Sequence, residues 1–189
     1  MALNESNQLK GDPFELLGVP ARFDLDSQAI RRAYLARTQE AHPDRAGLDA
    51  QAEGVVAAVN EARRILDDPE SRATALLRRV APDATEWSKS PPLPPEFLME
   101  VMEIREEVDR AIADRDGEAL QKWLAWAEDR RAASVDEARA GFAAGDRASH
   151  LKIFVTLSQW RYVERLKETI RGAMGELGIK PRVANSRAL

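Results

Sequence analysis

The sequence predicts an all-α protein in two parts, and three observations carry that reading. Apolar residues recur at helical spacing along most of the chain, and no stretch shows the patterning of a β-strand. Five of the ten prolines fall within residues 81–95, four of them in Pro91-Pro92-Leu93-Pro94-Pro95. Proline lacks an amide donor and restricts the residue before it, so helix stops there. That places a first domain at 11–80, a linker or elbow at 81–95 and a second domain at 96–178. Finally, only short turns separate the long helical stretches of the second part, which implies an antiparallel three-helix bundle.

In the first part, Asp12-Pro13-Phe14-Glu15-Leu16-Leu17 reads as a short helix with proline in its first turn. Asp26 is a good N-cap, and Leu25 and Ile30 have the spacing of a hydrophobic staple around it. This helix is expected to run to Ala41, where Pro43 ends it. The next spans about 50–67, with Val55 or Val56, then Val59, Ala62 and Leu66 at helical spacing. Asp68-Pro69 breaks it, and a last segment from Glu70 to Val80 carries Leu76 and Leu77. Trp87 in the elbow is expected to pack between the domains at a fixed angle, because it and the two leucines need burial.

The second part begins with a helix from Pro95 to Ala113. At about 100° per residue, Phe97, Val101, Ile104, Val108 and Ile112 form one stripe that can pack the bundle. Leu98, Met99 and Met102 fall on the opposite side with Glu103 and Glu106. This cluster is either a docking surface, which methionine suits by adapting to partner shape, or a face covered by the first domain or linker. Periodicity alone leaves both open. The second helix runs from Asp116 to Ala144, with Leu120, Leu124, Ala127, Val135, Ala138 and Phe142 in one stripe. The third runs from Asp146 to about Leu177. Gly117 and Gly145-Asp146 are expected to supply the turns. Residues 179–189 lack an apolar period and are expected to form a disordered tail.

Composition narrows the function classes. A net charge of -4 argues against nucleic acid, which usually calls for a basic patch. Cysteine is absent, so there are no disulfides, thiolate nucleophiles or cysteine ligands for zinc or iron–sulfur clusters. This fits a cytoplasmic protein, as does a start, Met-Ala-Leu-Asn-Glu-Ser-Asn, with neither a basic region nor an apolar run. No apolar stretch approaches the roughly 20 residues of a membrane span, so no membrane partner is expected. The only histidines are His42 and His150, and neither sits in a catalytic or metal-ligand pattern. No enzymatic activity, metal or cofactor is expected.

His42-Pro43-Asp44 is the most telling motif, followed directly by Arg45. Asp44 can pair with a partner's arginine, and His42 can donate or accept a hydrogen bond. The tripeptide alone is weak evidence; its frame strengthens it. Ile30-Arg31-Arg32-Ala33-Tyr34 lies upstream, and Asn60-Glu61-Ala62, Leu66, Asp68-Pro69 and Arg72 lie downstream. This order resembles the J-domain, which stimulates ATP hydrolysis by DnaK-type chaperones. The resemblance implies a chaperone-binding site made of His42, Pro43 and Asp44 with a basic face from Arg31, Arg32, Arg37 and Arg45. The chain departs from the usual pattern at Ala41, where an aromatic is common. It departs again at Arg37 and Arg63, where an aliphatic and an aromatic are common.

With its proline-containing elbow, its Phe97-Leu98-Met99-Glu100 helix and its C-terminal three-helix bundle, the chain resembles the HscB family over roughly residues 12–177. Members are co-chaperones of iron–sulfur cluster assembly that deliver the scaffold protein IscU to the DnaK-type chaperone HscA. The resemblance implies a scaffold-binding face at Leu98, Met99, Met102, Glu103 and Glu106, with Tyr162 as an aromatic on the last helix. That helix has two possible apolar stripes. Some eukaryotic members carry an N-terminal cysteine-rich metal site, which is absent here, so a bacterial member is implied. The alternative is a J-domain co-chaperone with another client or a tethering role.

Overall fold

The structure, a computed structural model, describes residues 11–40, 50–82 and 93–181, with the side chains of 50–53 left aside. All regular elements among the described residues are helices, in agreement with the all-α expectation: α1 (Pro13–Leu17), α2 (Ser27–Glu40), α3 (Ala50–Asp67), α4 (Pro69–Val80), α5 (Pro95–Ala113), α6 (Gly117–Ala144) and α7 (Arg147–Glu176). They fall into two units, Met1–Ala84 and Thr85–Leu189. Trp87, the tripeptide at 42–44 and Arg45 lie outside the described residues.

Aspartate sets most helix starts. A carboxylate placed just before a helix accepts from amides that have no partner within it. Asp12 accepts from the Phe14 amide at 2.8 Å, Asp26 from Gln28 at 3.1 Å and Asp68 from Ser71 at 2.8 Å. Asp116 accepts from Glu118 and Ala119 at 3.0 Å each, and Asp146 from Ser149 at 2.8 Å. Pro13, Pro69 and Pro95 occupy first helical positions, where the missing amide costs nothing.

In the first unit, Leu25 and Ile30 are both buried beside the Asp26 cap. Val59, Ala62 and Leu66 form the inner stripe of α3, which Val56 extends, while Val55 is 50% exposed. Leu76 and Leu77 are buried. Phe23 is buried too, in the non-helical link between α1 and α2, where periodicity carries no information. Arg72 stacks on its ring at 5.4 Å and donates to the Leu66 carbonyl at 2.9 Å, tying α4 to the end of α3. Arg79 ties α4 to α1 through Asp12 and Glu15, the latter at 2.8 Å.

In the second unit, at about 1.5 Å per residue, α5 is ~28 Å long, whereas α6 and α7 reach ~42 and ~45 Å. Ile104, Val108 and Ala111 of α5 pack against Leu120 and Leu124 of α6 and Leu166, Ile170 and Met174 of α7. Nearer the start of α5, Phe97 and Val101 pack against Ala127 and Val163. The α5 stripe is as expected, except that Ala111 is buried while Ile112 is half-buried.

The α6 stripe differs from expectation in its second half. Ser134 is buried, and Val135 and Phe142 are only half-buried. The seam here takes small residues because α7 fills it with Ile153, Leu157 and Trp160, all buried. Gly141 belongs to this seam: Ile153 Cγ1 stands 2.7 Å from where a Cβ would sit. Replacing the exposed, uncrowded Gly172 of α7 with alanine should raise stability by up to ~1 kcal/mol, the helix-propensity gain. Gly141→Ala should show no such gain, because overpacking of roughly 1–3 kcal/mol offsets it. Urea midpoints of the two variants check this, and equal gains would place Gly141 outside the seam.

The turn between α5 and α6 also corrects the expectation. Its left-handed residue is Arg115, with φ 56°, and Gly117 is the first residue of α6. Glycine suits position 117 for another reason: Ile179 Cδ1 lies 2.9 Å from a Cβ built there. Gly145, with φ 69°, does close α6 as expected. Gly178, at φ 69°, lets the Ile179 amide reach back to the Met174 carbonyl at 2.8 Å and the Gly178 amide to Gly175 at 3.1 Å. This is a Schellman motif, and it turns Ile179 onto the bundle core. Gln121 then donates to the Lys180 carbonyl at 2.7 Å.

Glu164 is the polar hub between α6 and α7. It accepts from Arg131 Nε at 2.9 Å and from the indole of the fully buried Trp160 at 3.3 Å, and it pairs with Lys167. Removing it strands a lysine whose side chain is only 10% exposed. Glu164→Ala should therefore cost about 1–3 kcal/mol, the scale of charge-assisted hydrogen bonds lost from a partly buried network. A thermal midpoint within a degree of the parent's would show that the hub contributes little.

Candidate docking surfaces

On α5 the helical phase separates two faces. Phe97, Val101, Ile104 and Val108 point into the bundle. Leu98, Met102, Glu106, Met99 and Glu103 follow one another around an arc of about 140° on the other side, at roughly 100° per residue. Leu98 is 40% exposed, Met99 64% and Met102 62%, and both glutamates are exposed. Three large apolar side chains side by side on solvent, rimmed by acids, are unusual for a surface without a partner.

Tyr162 joins this region by way of the core. Its ring meets Phe97 edge-on, with centroids 6.0 Å apart at 83°. The buried stripe of α7 runs through Ile153, Leu157, Trp160, Val163, Ile170 and Met174, which leaves Tyr162 half-buried at its border. Arg130 of α6 lies over the other partner, with its guanidinium 5.8 Å from the Phe97 ring, and approaches Glu100 at 3.9 Å.

On α2 the predicted basic face divides. Arg31 and Arg32 are exposed neighbours, Arg32 lying 3.9 Å from Asp26. Arg37 is about 140° around the helix from Arg32 at 100° per residue, so it cannot share the centre of that face. Its guanidinium lies against Gly18 at the end of α1, and it pairs with Glu40 at 3.1 Å. Arg45, like the tripeptide, lies outside the described residues. Arg63, where an aromatic is common by the resemblance, sets its guanidinium 4.5 Å from the Tyr34 ring centroid. Tyr34 in turn donates to Asn60 at 2.8 Å, so α2 and α3 are joined by polar contacts at this level. Leu35, 48% exposed on α2, is not singled out by periodicity, because the helix buries little beyond Ile30. Its spacing of four from Arg31 was the available signal.

Among the described residues, no group of three or more histidine, aspartate or glutamate side chains could hold a metal ion. No helix among them is long and apolar enough to cross a membrane. The described surfaces carry an apolar face with an acidic rim on one unit and an exposed arginine pair on the other.

The DnaJ domain family profile matches residues 12–74, and the profile of the HSCB C-terminal oligomerisation domain matches residues 93–171. The chain is thus a J-domain co-chaperone. A co-chaperone protein HscB homolog from Bordetella petrii is 34% identical over 173 residues, spanning 86% of this chain and 95% of the relative. A second, from Burkholderia multivorans, is 37% identical over 133 residues, spanning 68% of this chain and 75% of the relative. This chain belongs to the HscB co-chaperone family. Its fold is similar to that of chaperone HscB from Vibrio cholerae, with a TM-score of 0.64 at 23% identity, covering 88% of this chain and 99% of the other. It is likewise similar to the human co-chaperone HscB, with a TM-score of 0.68 at 21% identity, covering 90% and 83%.

Proposed function

We propose that this protein stimulates the ATPase of a DnaK- or HscA-type chaperone and brings to it an IscU-like iron–sulfur scaffold protein, in the bacterial cytoplasm. The chain acts as an activator and carries out no chemistry of its own. Its J-domain engages the chaperone through His42, Pro43, Asp44 and the arginines nearby. Its bundle holds the scaffold on the outer face of α5. The observation that best supports the second half is the exposure of Leu98, Met99 and Met102 beside Glu103 and Glu106. Family membership and the residues 42–44 support the first half.

Desolvated apolar anchors supply most of an interface's energy, and charges at the rim steer encounter. The α5 face has both parts, with Tyr162 bordering it on α7. A steady-state ATPase assay tests the reading. The full chain should raise the turnover of its cognate chaperone, and scaffold added with it should raise turnover further. A chaperone rate that ignores the chain overturns the activator role. A rate that responds to the chain but not to added scaffold overturns the delivery role.

A further inference from the structure

We infer that Leu35 is the apolar anchor of the chaperone-docking face on α2, set between Arg31 and Arg32; this rests on the chaperone reading proposed above. The helix geometry carries it. Taking about 100° per residue, Gln28, Leu35 and Gln39 share one line along α2, with Arg31 some 40° to one side and Arg32 some 60° to the other. All five are exposed. No carboxylate of α2 itself lies within this arc, since Glu40 is turned away with its partner Arg37. The one acid near it among the described residues is Asp26, which precedes the helix and stands 3.9 Å from Arg32 at its edge, leaving Arg31 and Arg32 in excess over it. In a chain of net charge -4, a face with two arginines and a single acid at its edge is a local reversal of the overall balance. Its charge is complementary to an acidic surface.

Leu35 sits at the centre of that face with nearly half its surface in solvent, while Ile30 serves the core. A large apolar residue surrounded by long cationic side chains is the arrangement of a small hot spot: an apolar centre desolvated on contact and a polar rim that excludes water. The occupant is an acidic patch with an apolar spot on the ATPase domain of the DnaK-type chaperone. Arg31 and Arg32 then steer the encounter, and Leu35 slows dissociation.

The test is the dependence of chaperone ATP hydrolysis on the concentration of the full chain, using a purified DnaK-type chaperone and ATP. Leu35→Ala should raise the half-saturating concentration about fivefold, equivalent to about 1 kcal/mol. The maximal stimulation should be unchanged, since His42 and Asp44 are intact. Leu35→Met should restore most of the loss. Alanine is the stronger helix former, so folding is not at risk, and an unaltered thermal midpoint verifies it. If the parent chain stimulates and Leu35→Ala follows the same curve, the anchor role is overturned while the chaperone reading stands. If the parent chain does not stimulate at all, both fall.

Discussion

Replacing His42 or Asp44 with alanine should abolish stimulation of the chaperone while leaving helicity and thermal midpoint nearly unchanged. The sequence reads both as loop residues beyond the end of α2, with Pro43 between them restricting the backbone. Asp44 supplies a carboxylate that can pair with an arginine of the partner, and His42 a ring that can donate or accept. Neither role can be filled by a methyl group. Substitutions away from core, caps and networks usually stay within ~0.5 kcal/mol of the parent's stability. Function and folding should therefore separate cleanly. Single-turnover hydrolysis by the chaperone, measured beside the circular dichroism of each variant, checks both halves. A His42→Ala protein that stimulates as well as the parent would remove the main support for the activator role.

The second large effect concerns α5. Changing Leu98 and Met102 together to alanine should weaken scaffold binding by ~10-fold or more, at ~1.4 kcal/mol per decade. The two lie 40° apart on the outer arc at ~100° per residue, so both can enter one pocket. Both are already well exposed in the free protein, so truncation should cost the bundle little. Charge reversal at Glu106 should act differently, mainly slowing association and making binding less dependent on salt. Neither change should alter the basal stimulation of the chaperone. Calorimetric titration of scaffold into the full-length variants is the measurement. If the double variant unfolds while affinity per folded molecule is unchanged, these residues are core and the docking role is lost.

Much of this protein is legible in its sequence because its helix starts are local events. An aspartate reaches an amide two or three residues on, and a proline at the first helical position lacks only an amide that had no partner. Asp26 therefore announces its helix without reference to the rest of the chain, and Asp12, Asp68, Asp116 and Asp146 cap theirs by the same local contact. The two faces of α5 are legible for the same reason. Phe97, Val101, Ile104 and Val108 repeat at the helical period and leave Leu98, Met99 and Met102 on the far side.

Tertiary structure decided what depends on a neighbour's size or position. Ser134 and Gly141 line the α6–α7 seam because Ile153 and its neighbours occupy the space, so the larger Val135 is pushed to its border and Phe142 packs at its end against His150 of α7. Gly117 makes room for Ile179, which comes from 62 positions further along the chain. Arg37, close to Arg32 in sequence, faces α1 because the helix turns between them. Phe23 and Tyr162 likewise find their places against Arg72 and Phe97, from other helices. A helical period records which side of one element is apolar; it holds no information on how deep the opposing element's side chains reach.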